Sequence, residues 1–352
     1  MRIVVVGGGL VGTCFALEAH ARGAQVAVLD RTGLHAEAST AGAGILGASA
    51  EAMTGDHDAA DVVRAREAMF KWLPHLESRS GLPIRAARRG TLVRVRDEDE
   101  RRRFAHWLEG HPGEGKWLPF HEVLELVPGL AACPLGAVLF EDDGSLEPAR
   151  LGSAVAVALR AASVEVRCGV AVSRLLIQQG RAEGVLLASG ERVAADAVVL
   201  AAGAWSGGLL ATAGLADDVI PVRGQLLELR PAACDLRPVV FEGKRYIVPR
   251  GDGRFVVGST MEHAGFDSGT TSEARGELLA FAERLVPSLV GAEIAGHWAG
   301  LRPVRPGGPR VGRAPIEGLF TSFGHGRNGI LSCRKSALDL ADLLELPPPE
   351  AS

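Results

Sequence analysis

Residues 2–12 read Arg2-Ile3-Val4-Val5-Val6-Gly7-Gly8-Gly9-Leu10-Val11-Gly12. The first five form a compact apolar run, which is typical of a buried parallel strand. The glycines that follow give the pattern G-x-G-x-x-G, and from Leu10 to Ala21 apolar residues recur at helical spacing. A strand, a glycine-rich turn and a helix in this order predict a βαβ unit that binds a dinucleotide.

The individual residues of this unit have distinct expected roles. Gly7 permits the tight turn, Gly9 leaves room for a pyrophosphate, and Gly12 lets helix and strand pack closely. The amino end of the helix offers free N–H groups and partial positive charge to phosphates. Asp30 ends a second predicted strand, Gln25–Leu29, where a carboxylate can bind ribose hydroxyls. FAD and NAD both contain ADP, so the pattern does not distinguish them, but Asp30 argues against a 2′-phosphate.

Composition and charge exclude several classes of protein. The chain has 352 residues, of which 47% are hydrophobic and 23% charged, so it can bury a large core. Its net charge of -4 provides no global field for nucleic acid. The five cysteines are widely spaced, so we expect no metal site, no disulfide framework and a reducing, cytoplasmic location. The longest apolar stretch, Ala197–Trp205, is too short to span a membrane.

The rest of the chain alternates between two kinds of pattern. Nucleotide-type parallel segments are predicted at the start, around 165–205 and at the end, and antiparallel strands such as Gly224–Leu229 lie between them. The small residues of Ser39–Ala50 are expected to form loop and helix start rather than core. We therefore predict a mixed α/β fold of two interleaved domains. A cofactor domain comprises 1–82, 143–219 and 300–346, a second sheet domain comprises 83–142 and 220–299, and 347–352 form a tail predicted to be disordered.

Five further segments carry a family resemblance, namely Ala38-Ser39-Thr40-Ala41-Gly42-Ala43-Gly44-Ile45-Leu46, 195–206 (ADAVVLAAGAWS), 246–250 (YIVPR), 298–303 (WAGLRP) and 324–330 (GHGRNGI). With the opening fingerprint, and in this order, they resemble the glycine oxidase/D-amino-acid oxidase family of flavoproteins over about residues 1–344. The resemblance implies a Rossmann-like FAD-binding domain interleaved with an antiparallel-sheet substrate domain. No cysteine lies in Arg302–Pro309, where some sarcosine oxidases attach FAD, so the FAD is expected to be noncovalent.

The resemblance also implies which residues bind FAD. Ser39 and Thr40 can offer hydroxyls to the pyrophosphate, the backbone of Val172 is expected at the adenine, and Gly329 opens a last helix whose dipole faces the flavin. The full set of expected cofactor residues is Gly7, Gly9, Leu10, Val11, Gly12, Asp30, Arg31, Ala38, Ser39, Thr40, Ala43, Gly44, Ile45, Val172, Gly203, Trp205, His325, Gly326, Arg327, Asn328, Gly329, Ile330 and Leu331.

For the substrate, the resemblance implies a carboxylate clamp. Arg302 and Tyr246, the only tyrosine, stand at the family positions for it, and Arg327 either joins them or faces the flavin. No general base is expected, since the protein contributes positioning and electrostatics. The sequence departs from the family pattern at Gly326, where an aromatic residue is usual, and in 304–310, which lack the usual acidic residue. These departures leave the identity of the substrate open.

The implied reaction is FAD-dependent oxidative deamination of glycine, sarcosine or a small D-amino acid, with hydride transfer from the α-carbon to flavin N5 and oxygen as acceptor. The alternative is a dehydrogenase acting on a D-amino acid, imino acid or opine, which passes electrons to a quinone or carrier and could be a subunit of a heteromer. RNA modification is disfavoured because the chain has no second enzyme domain and no basic tail. The sequence leaves open whether the chain forms a homo-oligomer.

Overall fold

The computed structural model describes residues 1–55 and 58–349. Its helices are α1 (Leu10–Ala21), α2 (Ala38–Ala41), α3 (Ala48–Thr54), α4 (Ala59–Ser80), α5 (Glu98–Gly110), α6 (Phe120–Leu126), α7 (Pro148–Ala161), α8 (Ser206–Ala211), α9 (Ser272–Leu285) and α10 (Gly329–Leu343). Its strands are β1 (Arg2–Val6), β2 (Gln25–Asp30), β3 (Ile45–Leu46), β4 (Thr91–Arg94), β5 (Lys116–Leu118), β6 (Ala137–Phe140), β7 (Gly144–Ser145), β8 (Glu165–Cys168), β9 (Val172–Gln178), β10 (Arg181–Leu187), β11 (Arg192–Ala194), β12 (Ala197–Leu200), β13 (Ile220–Arg230), β14 (Val239–Glu242), β15 (Arg245–Pro249), β16 (Phe255–Gly258), β17 (Glu293–Val304), β18 (Arg310–Arg313) and β19 (Leu319–Phe323).

The first large sheet is built around the opening strand. Its order is β18-β19-β12-β1-β2-β8, and every pairing is parallel except β18 with β19. Helices α1, α4, α7 and α10 cover one face, and the small sheet of β9, β10 and β11 packs near the other. Both faces of β1 are therefore buried, which explains why Ile3–Val6 is apolar throughout.

The second large sheet has the order β17-β13-β16-β15-β14-β4-β6-β5. It is antiparallel apart from the pairing of β4 with β14. Helices α6 and α9 contribute to the apolar core on one of its faces. On the other face, its side chains pack with residues of α3 and α5. That second face is the one that borders the cavity described below.

The strand β17 crosses a predicted domain boundary. It pairs with β13 continuously from Glu293 to Val304, with one bulge, so a boundary between 299 and 300 cuts through a strand. We retain the division into two interleaved domains as a proposal, supported by the two sheets, and place residues 300–304 with the second sheet. Of the predicted tail, residues 347–349 form no helix or strand, and 350–352 lie outside the described residues.

The expectation that Ser39–Ala50 stays out of the core was wrong. Ala43, Leu46, Ala48 and Ala50 are each at most 6% exposed. Small residues are needed here because the segment fits between larger elements: a Cβ on Gly42 would lie 2.8 Å from the Ile330 side chain. The segment therefore contributes closely packed residues to two of the apolar cores.

No helix in the described part of the chain is both long and apolar enough to cross a lipid bilayer.

Candidate active site

A cavity of about 520 Å³ extends between the two large sheets. The glycine turn after β1, the segment from α2 to β3, the ends of β12 and β17, and the start of α10 all line it. Except for Gly12, Thr40 and Leu331, every residue expected at the cofactor or the substrate lines this cavity. The structure therefore brings together residues that lie up to 323 positions apart in the sequence, from Gly7 to Ile330.

Three expected cofactor residues lie behind the lining. Gly12 supports the turn instead, because a Cβ there would lie 2.2 Å from the carbonyl oxygen of Gly7. The Thr40 hydroxyl donates to the His35 carbonyl at 2.8 Å, which turns it away from the predicted pyrophosphate role. Leu331 is 1% exposed and belongs to the helical core.

The glycine turn has the geometry that an anion requires. Gly7 has a φ of 117°, which favours glycine, and a Cβ there would lie 2.3 Å from the Ala201 carbonyl. The Gly8 N–H donates to Asp30 Oδ2 at 2.7 Å, which fixes this carboxylate at the end of β2. Ser39 Oγ accepts from the Leu10 N–H at 2.9 Å, so its own proton remains available for an anion at the amino end of α1.

Aromatic and cationic groups stack at one end of the cavity. The Arg31 guanidinium lies 3.7 Å from the centroid of the Trp205 ring. Trp205 stacks in turn on Phe266, with 5.2 Å between ring centroids. Arg31 also pairs with Glu37 at 2.8 Å. Arg31 and Trp205 were predicted here, whereas Phe266 was missed, since it lies in an irregular segment outside the recognised motifs.

The amino end of α10 forms another wall. Asn328 precedes the helix, is 7% exposed, and has no hydrogen-bond partner for its Nδ2 within the described residues. A buried amide donor without a partner is costly, so this group fits a ligand that accepts hydrogen bonds. His325 contacts Ser336 Oγ through Nε2 at 3.0 Å, and burial lowers its pKa to about 4. His325 is therefore neutral near pH 7.

Arg302 lies where β17 runs beside β13. Its Nη2 donates to Ser259 Oγ at 2.6 Å, and its Nη1 donates to the Thr260 carbonyl at 3.1 Å. The guanidinium lies directly over Gly224, where a Cβ would be 2.1 Å from Nη2. Burial lowers the pKa of Arg302, and in the described chain no carboxylate forms an ion pair with it. Arg302 thus presents a positive charge that a ligand carboxylate can neutralise.

Tyr246 stands beside this group on β15. It is 6% exposed and pairs with Gly258 of β16, where a Cβ would lie 2.6 Å from the tyrosine ring. The Arg327 guanidinium lies 5.9 Å from the Tyr246 ring centroid. Arg302, Tyr246 and Arg327, which were the three predicted substrate residues, therefore line one end of the cavity.

Arg327 differs from Arg302 in having an acidic partner. Its Nη2 lies 3.2 Å from Glu51 Oε1, and its Nη1 donates to the Lys244 carbonyl at 3.4 Å. Glu51 lies on α3 and is 8% exposed. Sequence reasoning missed Glu51. The available signal was a single acidic residue in the otherwise small and apolar stretch 41–53.

A buried ion pair holds α3 in place beneath Glu51. The fully buried Asp143 accepts from Arg66 Nη1 at 2.9 Å and from the backbone N–H groups of Ser49 and Ala50, each at 3.2 Å. Burial raises the pKa of Asp143 to about 6, and the bonds from Arg66 oppose that rise.

These features fit FAD. The glycine turn and the amino end of α1 can receive a pyrophosphate, and the Asp30 carboxylate at the end of β2 can receive ribose hydroxyls. The Asn328 amide, which has no partner among the described residues, lies at the start of α10. Ala43, Gly44 and Ile45 line the cavity with small or apolar groups, as a flat ring system requires. Because the lining extends from the glycine turn after β1 to the start of α10, the donor set matches a dinucleotide better than a single nucleotide.

Comparison with known proteins agrees with this geometry. The family model described as "FAD dependent oxidoreductase" (DAO) matches residues 2–343. The glycine oxidase of Pseudomonas aeruginosa is 35% identical over 350 residues, which cover 97% of this chain and 94% of that protein.

Solved structures show the same relationship. The crystal structure of glycine oxidase from Geobacillus kaustophilus has a TM-score of 0.92 and 32% identity, covering 98% of this chain and 95% of that one. The iminodiacetate oxidase of Chelativorans sp. BNC1 has a TM-score of 0.86 and 27% identity, covering 100% and 97%. The predicted mixed α/β fold with a Rossmann-like domain is confirmed. The chain belongs to the DAO family of FAD-dependent oxidoreductases.

Proposed function

We propose that this protein oxidatively deaminates a small amino acid, such as glycine, sarcosine or a small D-amino acid, with oxygen as electron acceptor. One observation carries the proposal: Arg302 presents a guanidinium without an acidic partner in the described chain, beside Tyr246, in the cavity that holds the FAD-binding turn. The names of the relatives in Pseudomonas aeruginosa and Geobacillus kaustophilus support glycine-type substrates and oxygen.

The role of Arg302 follows from its hydrogen bonds. Ser259 Oγ and the Thr260 carbonyl hold the guanidinium in position but leave it without a neutralising charge. Guanidinium donors match the two oxygens of a carboxylate, and the Tyr246 hydroxyl can add a third donor. Arg302 thereby fixes one end of the substrate, and Tyr246 limits its rotation.

The chemistry requires little acid–base help from the protein. When bound, FAD would supply the acceptor for the α-hydrogen, which leaves the substrate as a hydride, and oxygen would serve as the final electron acceptor. His325 is neutral because burial lowers its pKa to about 4, and its Nε2 is hydrogen-bonded to Ser336 Oγ. The amino end of α10 and the Asn328 amide provide positive potential where negative charge develops. The balanced reaction converts amino acid, oxygen and water into an oxo acid, an amine or ammonia, and hydrogen peroxide.

The alternative, a dehydrogenase that passes electrons to a quinone or carrier, uses the same substrate clamp. The oxidase names among the relatives favour oxygen as the acceptor. We also propose noncovalent FAD, supported by the absence of cysteine from Arg302–Pro309, and a reducing, cytoplasmic location, supported by the five free cysteines.

The decisive experiment begins with the visible spectrum of the purified protein. Glycine, sarcosine, D-alanine and D-proline are then added without oxygen. We expect at least one of them to bleach the flavin bands, and we expect air to restore the bands with formation of stoichiometric peroxide. Bleaching that only a dye or quinone reverses would favour the dehydrogenase. No bleaching by any amino acid of the panel would contradict the proposal.

A further inference from the structure

The charges at the substrate end of the cavity are unevenly paired. Arg302, Arg327 and Glu51 all line this end. Arg302 donates to Ser259 Oγ and the Thr260 carbonyl, which are uncharged, whereas Arg327 lies 3.2 Å from Glu51. This end of the cavity thus holds two guanidinium groups, and of these only Arg302 lacks a carboxylate partner among the described residues.

The position of Glu51 is built into the fold. Asp143 accepts hydrogen bonds from the backbone N–H groups of Ser49 and Ala50, and Glu51 is the next residue of the same helix. Arg66 donates to Asp143 in turn, so buried hydrogen bonds hold this part of the helix in place. The Glu51 side chain is 11% exposed, against 24% for Arg327. A carboxylate held this rigidly against a cation remains its counterion, because leaving would strand two partly desolvated charges.

We propose that Glu51 determines substrate specificity by neutralising Arg327, so that the site accepts a single carboxylate, at Arg302, and discriminates against amino or imino acids that carry a second one. This inference rests on the proposed function, in which Arg302 binds the substrate carboxylate. A second carboxylate would meet a guanidinium that is already neutralised, together with the negative charge of Glu51. Its lost hydration would not be compensated, and such repulsive elements are a common basis of specificity.

The test measures binding rather than turnover. The FAD-loaded protein and its Glu51→Gln variant are titrated with the unreactive ligands acetate, malonate, succinate and glutarate, and binding is followed by calorimetry and by the flavin spectrum. Glutamine keeps the shape of Glu51 and removes its charge, which frees Arg327. For the diacid that best spans the two arginines, we expect the affinity relative to acetate to rise roughly tenfold to hundredfold, the range of a charge-assisted hydrogen bond.

Two further variants make the test independent of how Glu51→Gln folds. Glu51→Asp retains the charge and should keep the wild-type order of ligands. Arg327→Gln leaves Glu51 without its cation, so the diacids should weaken further relative to acetate. In the double variant Glu51→Gln with Arg327→Gln, the gain for diacids should disappear, because it depends on a free Arg327.

The outcomes separate the two proposals. If acetate binds the wild type but the acetate-normalised affinity of every diacid changes less than threefold in Glu51→Gln, the role of Glu51 is overturned and the proposed function stands. If acetate fails to bind the wild type, or binds equally well after Arg302→Met, the proposed function fails with it. In a separate steady-state measurement, a rise in KM for glycine in Glu51→Gln without a change in diacid affinity would overturn the proposal and assign Glu51 to the substrate amine.

Discussion

Arg302 holds its place in the cavity through uncharged neighbours, and this makes its charge available to a ligand. We expect Arg302→Ala to raise KM for amino acids about a hundredfold, because losing a charge-assisted carboxylate pair costs about 2–3 kcal/mol. Steady-state kinetics on the flavin-loaded variant provide the measurement. Arg310→Ala is the matched control, since Arg310 pairs with Asp217 away from the cavity. Equal effects of the two substitutions would place the carboxylate site elsewhere.

Gly224 supports the same arginine from below. A Cβ at this position would lie 2.1–2.3 Å from the three outermost guanidinium atoms, so Gly224→Ala must displace them. We expect kcat/KM to fall at least about tenfold, with FAD content retained, because a misplaced clamp orients the substrate poorly. Gly276→Ala, on an open face of α9, removes a glycine without any close neighbour and should leave kinetics unchanged. Unaltered kinetics in Gly224→Ala would show that the guanidinium is mobile.

Single residues differ in how well the sequence predicted them. Arg302, Tyr246 and Arg327 were found because they lie in recognisable segments. Glu51 and Gly224 were missed because their roles arise from approach in three dimensions: Glu51 meets an arginine 276 positions later, and Gly224 lies under a side chain from the neighbouring strand. Neither relation leaves a local pattern in the sequence.

Helix α3 shows how an element can be fixed by a residue far along the chain. Asp143 accepts two of its first N–H groups while pairing with Arg66, which is itself 3% exposed. We expect Asp143→Asn to lower the free energy of unfolding by about 3–5 kcal/mol, because it leaves Arg66 buried with less compensation. Denaturant unfolding of the FAD-loaded protein measures this difference.

The neighbouring Asp142 gives the control for that measurement. It carries the same charge but its side chain is 72% exposed. Asp142→Asn should therefore change stability by less than about 1 kcal/mol, as is usual for surface ion pairs. If both variants unfold at the same denaturant concentration, α3 does not depend on the buried pair.

Elements with strong local patterns were predicted well, and those that depend on pairing were not. The bounds of α1, Leu10–Ala21, agree with prediction, because its apolar residues recur at helical spacing directly after the glycine turn. Strand β17 was missed as an element: Gly296, Gly300 and Pro303 all disfavour a strand, yet its partner β13 holds it in register. Tertiary pairing outweighed local preference there.

At the scale of the molecule, the sequence predicted that one sheet is parallel and the other antiparallel, but it did not predict how the two sheets together form the cavity. A glycine turn and apolar runs indicated a parallel sheet, and strand-like segments such as Gly224–Leu229 indicated antiparallel pairing. The cavity requires that β13 and β17 reach α2, and this contact depends on Gly300, where a Cβ would lie 2.5 Å from that of Ala41. Such a contact follows from how the elements of the two sheets pack together, and no local sequence pattern encodes it.

Two buried histidines make the stability of the folded protein depend on pH. His35 and His325 are 4% and 5% exposed, and burial lowers each pKa from 6.5 to about 4. Both stay neutral in the folded protein down to about pH 4, whereas unfolding lets them take up protons below 6.5. Above pH 6.5 the two histidines are neutral in both states, so they do not change the free energy of unfolding with pH. As pH falls from 6.5 towards 4, only the unfolded state takes up protons, and the folded protein loses stability.

From pH 7.5 to pH 5, the lowered pKa values predict a loss of about 2 kcal/mol for each histidine, since one pKa unit corresponds to about 1.4 kcal/mol. Denaturant unfolding at both pH values, for the wild type and for His35→Asn with His325→Gln, isolates this contribution from other titrating groups such as Asp143. The double variant should lose much less stability on acidification, even if it is less stable at pH 7.5. His121→Asn, at an exposed site, should retain the wild-type pH dependence. A double variant with the same pH dependence as wild type would mean that both histidines take up protons while the protein remains folded.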